Sequence, residues 1–381
     1  MRNTVIAGVC VALSLGATQA QAQLAVSSND HKIVQENGVN RNLPNPPPDT
    51  ITILDLGALP VKVVDTVANV PGSVVGPPLS VAITPDESIA LIASSSKLDP
   101  ADPTKLVPDD RVTVVDLKGR KILGTLNTGP GAAGISITKD GKRAYVANRM
   151  AGSISILSID GKDVKLVKTV PLMDAKTLLS HMAVSPDGAT GVVTRNGDAK
   201  VELMKLGGDN IASSSVLDVA PRPYAVSVTP DSKTAVVASL GDPKANGILT
   251  VIDLATGKIV GTADIGHENL EGMIMSGDGR WIAAVAHAGS TRPKDAPQYK
   301  PNGMVVLYKL DGTGLTKTGE APIGGWSQGA SFSRDGSAIV VQNMNEKNLQ
   351  VFKNDNGKIT DTGQKIDVGG GAAAVRSSTD R

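Results

Sequence analysis

The residues best suited to chemistry lie in one stretch of the chain. The segment HENLEG at 267–272 carries His267 and Glu271, and His287 follows at the end of the next strand-like run. A neutral imidazole can take a proton from water near pH 7. A carboxylate beside it can orient that water or help to ligate a metal. His267, Glu271 and His287 are therefore the candidate catalytic set, and the chemistry would be a hydrolysis. The sequence names no cofactor, and a divalent metal ion is the one such a set would take. Arg195 and Arg222 are of the type that holds a carboxylate or phosphate through paired hydrogen bonds. Asn148, Arg149, His181, Arg195, Arg222, Trp326, Gln328, Asn343 and Arg376 form a wider candidate ligand-binding set. No phosphate loop, GxSxG elbow, HExxH helix, calcium loop or dinucleotide fingerprint occurs in a supporting context.

The elements that must position these residues follow from a repeat. Six times an apolar strand ends in Thr or Ser, a spacer and an Asp, and a second apolar strand follows. The copies read SVAITPDE, GISITKDG, HMAVSPDG, AVSVTPDS, GMIMSGDG and GASFSRDG, with the aspartates at 86, 140, 187, 231, 278 and 335. A seventh, AVRSSTD, ends at Asp380. The intervals are 54, 47, 44, 47, 57 and 45 residues. A period near 40–50 with four short strands per unit predicts an all-β fold, a seven-bladed β-propeller of four-stranded antiparallel blades. The repeated aspartates are expected to form turns, with Gly supplying positive φ.

Between these inner hairpins lie outer ones, such as 111–126 and 247–265, with period-2 alternation around Lys-Gly or Thr-Gly-Lys turns. There are seven outer hairpins but six complete inner ones. Leu24-Ala25-Val26-Ser27-Ser28 resembles a second inner strand, and 374–380 matches a first. The two ends are therefore expected to pair and close blade 7, which removes the open edges of the ring.

Strand order places the inter-blade crossings and the second-to-third-strand loops on one face, here the top. The Asp turns lie on the bottom. Three top loops are long, at 29–49, 95–110 and 288–302. His31, His181, His267 and His287 all fall at top-side positions in this scheme. Six residues before each Asp only His181 is large, and four before it only Arg376 is charged. Both are expected to point toward the top mouth of the channel.

Residues 1–22 read as a leader. Arg2 precedes a short apolar run, and Ala20-Gln21-Ala22 fits the small-residue cleavage rule. Cleavage after Ala22 removes Cys10, the only cysteine, leaving a single domain over 23–381 without disulfides or thiolate ligands. The location expected is periplasmic or secreted. With Arg2 gone the mature part has 37 basic and 37 acidic residues, which argues against non-specific binding to nucleic acid or to a membrane surface. No later segment has the roughly 18 apolar residues a membrane helix needs. Aromatic residues are only 2% of the chain, so stacking platforms for bases or sugars are scarce.

Tyr-Val-Ala-Asn at 145–148, with the (T/S)PDG turns, resembles the YVTN-repeat and lactonase-like seven-bladed propellers of bacterial cell envelopes. The resemblance covers nearly all of the mature chain and implies the architecture. The group includes sugar-lactone hydrolases and surface-layer proteins, and no lactonase motif aligns residue by residue. Three readings follow: an exported, monomeric propeller binding a small molecule or protein on its top face; a lactone hydrolase; and an accessory subunit of a periplasmic redox complex, with the cofactors held by its partners.

Overall fold

A computed structural model describes residues 22–380. The leader expected at 1–22 therefore lies, apart from Ala22, outside the described residues. Seven four-stranded antiparallel sheets form the ring. Their innermost strands are Val81–Ile83, Ala132–Ile137, Leu179–Val184, Pro223–Val228, Leu270–Met275, Ser327–Phe332 and Gly371–Ser377, defining blades 1 to 7. No helix among the described residues is long and apolar enough to cross a membrane.

Closure occurs in blade 7, where the expected ends meet. Gly371–Ser377 pairs with Leu24–Asp30, with Ala25 opposite Ser377 and Ser28 opposite Ala374. Leu24–Asp30 then pairs with Thr50–Asp55, and that strand with Lys62–Ala68. One strand from one end and three from the other make a complete sheet.

The alternation in the sequence becomes burial between sheets. Val26, Ile51 and Ile53 of blade 7 pack with Val81, Ile83 and Ile92 of blade 1. Trp281, Phe332 and Phe352 fill the gap between blades 5 and 6, so these aromatic residues serve as core. Truncating one of the buried isoleucines to Ala would cost about 2–5 kcal/mol.

Five of the first six turn aspartates share one local structure. The hydroxyl two residues earlier donates to the carboxylate in Asp140, Asp231, Asp278 and Asp335, each at 2.6 Å, and likewise in Asp187. These hydroxyl bonds hold the Asp140, Asp187 and Asp231 carboxyls below their ordinary range. Asp86 instead accepts from Ser88, through both the backbone N–H and the hydroxyl. Asp380 departs from the expected turn role. It is half-buried, and its Oδ2 accepts from Ser331 Oγ of blade 6 at 2.8 Å and from the Ser377 N–H at 2.7 Å.

The long top loops form a lid. Ile33–Glu36 and Val39–Asn42 make a hairpin, as do Ser96–Leu98 and Leu106–Pro108. Asn42 Nδ2 donates to the Thr104 carbonyl (2.9 Å), and the Lys294 N–H donates to Asn37 Oδ1 (2.7 Å), so the three loops interlock. Beneath them Ile33, Val74, Trp326, Met344 and Ala373 pack together.

Candidate functional site

The site is built by a repeated irregularity at the top of the inner strands. The residue nine before the turn Asp is left-handed in blades 3 to 6, with φ of +48° at Leu178, +58° at Arg222, +54° at Asn269 and +48° at Trp326. Pairing with the second strand then slips by one residue, between Leu179 and His181, Pro223 and Ala225, and Leu270 and Gly272. Such a bulge re-aims the extra side chain. The extra residues are Ser180, Tyr224 and Glu271, in three successive blades.

Glu271 is the centre of the cluster. It is buried, and among the described residues no group donates a hydrogen bond to its carboxyl. Burial pushes it up to about 7, against the pull of the Arg222 and Arg149 charges. His287, at the end of the paired second strand, stands 3.9 Å away from Nε2 to the carboxylate oxygen. That gap is too long for a direct hydrogen bond. Burial lowers His287 to about 4, so its ring is neutral at pH 7. Its Nε2 is buried without a partner.

Two arginines complete the group. Arg149 reaches from blade 2 to the Leu178 carbonyl (2.9 Å), Ser180 Oγ (2.6 Å) and Asn196 Oδ1 (3.1 Å). Its guanidinium carbon lies 5.5 Å from the centroid of the Tyr224 ring, a cation–π distance. Arg222 donates through Nε to the Gly241 carbonyl (2.6 Å) and through Nη2 to Asn269 Oδ1 (3.0 Å). Burial raises the Tyr224 hydroxyl, and Glu271, Arg149 and Arg222 all act on it. These four side chains thus share one electrostatic environment.

The pairing of arginines separates this region from the rest of the surface. Arg41, Arg111, Arg120, Arg143, Arg195, Arg280, Arg292 and Arg334 each form an ion pair. Among the described residues only Arg149, Arg222 and Arg376 form none. The acceptors of Arg149 and Arg222 are neutral, which leaves net positive charge at the mouth and suits an anionic ligand or a developing oxyanion.

The other expected site residues are placed differently. His267 stays on the outermost strand Lys258–Glu268, with Nε2 2.8 Å from Glu320 Oε2, and does not join Glu271 and His287. Among the described residues no three of His, Cys, Asp and Glu come together as a metal would need, so Glu271 and His287 offer a divalent ion two ligands at most. Arg195 is paired with Asp198 and Glu202. Asn148 Nδ2 donates to Ser153 and Ser155 hydroxyls at 3.0 and 2.9 Å, and Asn343 bonds Gly324, Ser327, Asn348 and Gln350, so both fasten strand ends. Trp326 is packed beneath the lid, and Gln328 Nε2 donates to its carbonyl (3.3 Å).

His181 and Arg376 do not face the top mouth as expected. They line an axial chamber that reaches Pro85, Lys139 and Pro186, on the side of the Asp turns. The reason is height along the axis. The bulge at Ser180 takes the mouth position, and the next residue drops into the channel. Tyr224 and Ser180 escaped the sequence reading because counting back by twos from the Asp skips the seventh position, where the bulge sits.

Residues 113–228 match the family model described as Lactonase, 7-bladed beta-propeller. The resemblance to lactonase-like propellers rests on that match and on fold. The solved structure of the periplasmic gluconolactonase of Pseudomonas aeruginosa superposes with a TM-score of 0.68 at 17% identity, covering 93% of this chain and 98% of that one. A Bacteroides fragilis protein provisionally described as a 6-phosphogluconolactonase gives 0.68 at 16%, covering 95% and 99%. Hydrazine synthase of Kuenenia stuttgartiensis gives 0.60 at 18%, covering 81% and 91%. At these identities the likeness is one of fold. No curated protein sequence matches the chain.

Proposed function

We propose that the protein hydrolyses a lactone at the top mouth of the channel, with Glu271 as general base. The observation that carries this reading is the Glu271 carboxyl, buried, without a hydrogen-bond donor among the described residues, raised to about 7 and set beside two arginines that lack ion pairs. A base poised near the working pH is what proton abstraction from water needs. In the reaction Glu271 takes a proton from a water that attacks the lactone carbonyl. The tetrahedral oxyanion forms under the positive charge of Arg149 and Arg222. Collapse breaks the ring C–O bond, and the protonated Glu271 returns its proton to the leaving oxygen. The product is the open hydroxy acid. Neutral His287 orients the water through its unpartnered Nε2.

The gluconolactonase fold neighbours and the family match support a sugar lactone as substrate class. The leader expected at 1–22 supports a periplasmic or secreted location. A base-titration assay of the mature protein against a panel of neutral and anionic lactones, with and without a chelator, tests the reading. Turnover that disappears in Glu271→Gln supports it. A second reading, binding without turnover, is favoured by the burial of both Glu271 and His287. Saturable binding of the same compounds with no acid release would select that one.

A further inference from the structure

Below the candidate site the axis holds a second polar chamber of about 60 Å³ that the proposed hydrolysis does not use. Inner strands of blades 1, 2 and 3 and the closing strand make its wall, and its charged or titratable members are Lys139, His181, Arg376 and Asp380. Arg376 is only 6% exposed, and no group among the described residues accepts a hydrogen bond from it. Asp380 Oδ2 is taken by Ser331 and Ser377, but its Oδ1 is buried without a partner. His181 is 1% exposed, with Nε2 against Ser136 Oγ at 2.9 Å and Nδ1 unpartnered.

A guanidinium and a carboxyl thus line one chamber without forming an ion pair. An uncompensated buried charge costs several kcal/mol. The chamber therefore calls for an occupant that accepts from Arg376. Its volume suits about four water-sized groups, the size of acetate.

We propose that this chamber binds a small carboxylate anion, with its oxygens on the Arg376 guanidinium. Burial raises Asp380, which favours its uncharged form beside that anion, and it keeps His181 neutral by lowering it to about 3. Arg376, Ser377, Ser378 and Asp380 all belong to the closing segment. The occupant therefore ties that segment to blades 1, 2 and 3, and its binding stabilises the closed ring by mass action.

The test is calorimetry and thermal unfolding of the mature protein with sodium acetate, against sodium chloride at equal ionic strength. Acetate is expected to give saturable heat and a rise in melting temperature that chloride does not. Glu271→Gln should keep this response and Arg376→Met should lose it. An acetate effect no larger than that of chloride, or one retained in Arg376→Met, overturns the proposal in favour of a water-filled chamber. Should Arg376→Met fail to fold, Asp380→Asn decides. Its amide oxygen can still accept from Ser331 and Ser377, and its side chain stays uncharged at every pH. Acetate affinity of the wild type should fall up to about tenfold per pH unit above the Asp380 titration, while that of Asp380→Asn stays level. Parallel pH profiles for the two proteins would sink the assignment.

Discussion

The carboxylate of Glu271 and Nε2 of His287 face each other at 3.9 Å across the first two strands of blade 5, both buried. Strand pairing sets this relationship, since Leu270 lies opposite Ala286 and the bulge then turns Glu271 toward the end of the second strand.

Replacing Glu271 by Gln is therefore expected to lower lactone turnover by about 10²- to 10⁴-fold. In the wild type the rate should rise with pH through about 7, as the base ionises. Stability should move the opposite way. The folded carboxyl titrates near 7 against an ordinary 4.5, so its favourable contribution is complete below 4.5 and is lost as pH rises to about 7. Above that pH Glu271→Gln should be the more stable protein, by up to about 3 kcal/mol. Initial rates and chemical denaturation from pH 4 to 9 check both signs.

Arg222 combines a functional side chain with a costly backbone. Its φ of +58° is left-handed, which costs a non-glycine residue about 1–2 kcal/mol. Arg222→Gly should leave the melting temperature nearly unchanged while raising KM for an anionic lactone more than for a neutral one. A fall in stability with unchanged KM would assign Arg222 to packing alone.

The buried histidines predict acid lability. His181 and His287 titrate near 3 and 4 in the folded protein against an ordinary 6.5. Folding is favoured by their neutral forms above 6.5, and this contribution disappears as pH falls through 4 and then 3. Melting temperature should drop steeply below pH 6, opposed in part by Glu271 between 4.5 and 6.5. His181→Gln and His287→Gln should each flatten the acid limb.

Deleting residues 372–381 removes most of the strand Gly371–Ser377, buried throughout, and exposes the edge of Leu24–Asp30. A large fall in melting temperature, or loss of soluble protein, is the expected outcome. A truncated protein that melts with the full chain would show that closure contributes nothing.

The architecture was fully legible because a propeller writes itself into sequence as a period, and Asp140, Asp187 and Asp231 carry the same turn each time. Oddities within a register were legible too: His181 and Arg376 do sit on the axis. Their height was not, because alternation reports which way a side chain points and is blind to an inserted residue. The same bulge hid Tyr224. His267 misled for a related reason. HENLEG reads as a crossing, yet the outermost strand runs on to Glu268 and holds His267 against Glu320. Asn148 and Asn343, singled out for a ligand, spend their amides on neighbouring strands.

The closing blade also fixes how the ring can go wrong. Its inner strand must find a partner from the far end of the chain, an encounter made probable only after the intervening six blades have stacked and brought the ends together. Until then Leu24–Asp30 presents an unpaired edge, and a second molecule offers the same Gly371–Ser377 strand at no energetic disadvantage. At low concentration the chain's own strand wins. In concentrated refolding, blade 7 is the place where two rings would trade strands, and a swapped dimer is the product expected on size-exclusion chromatography.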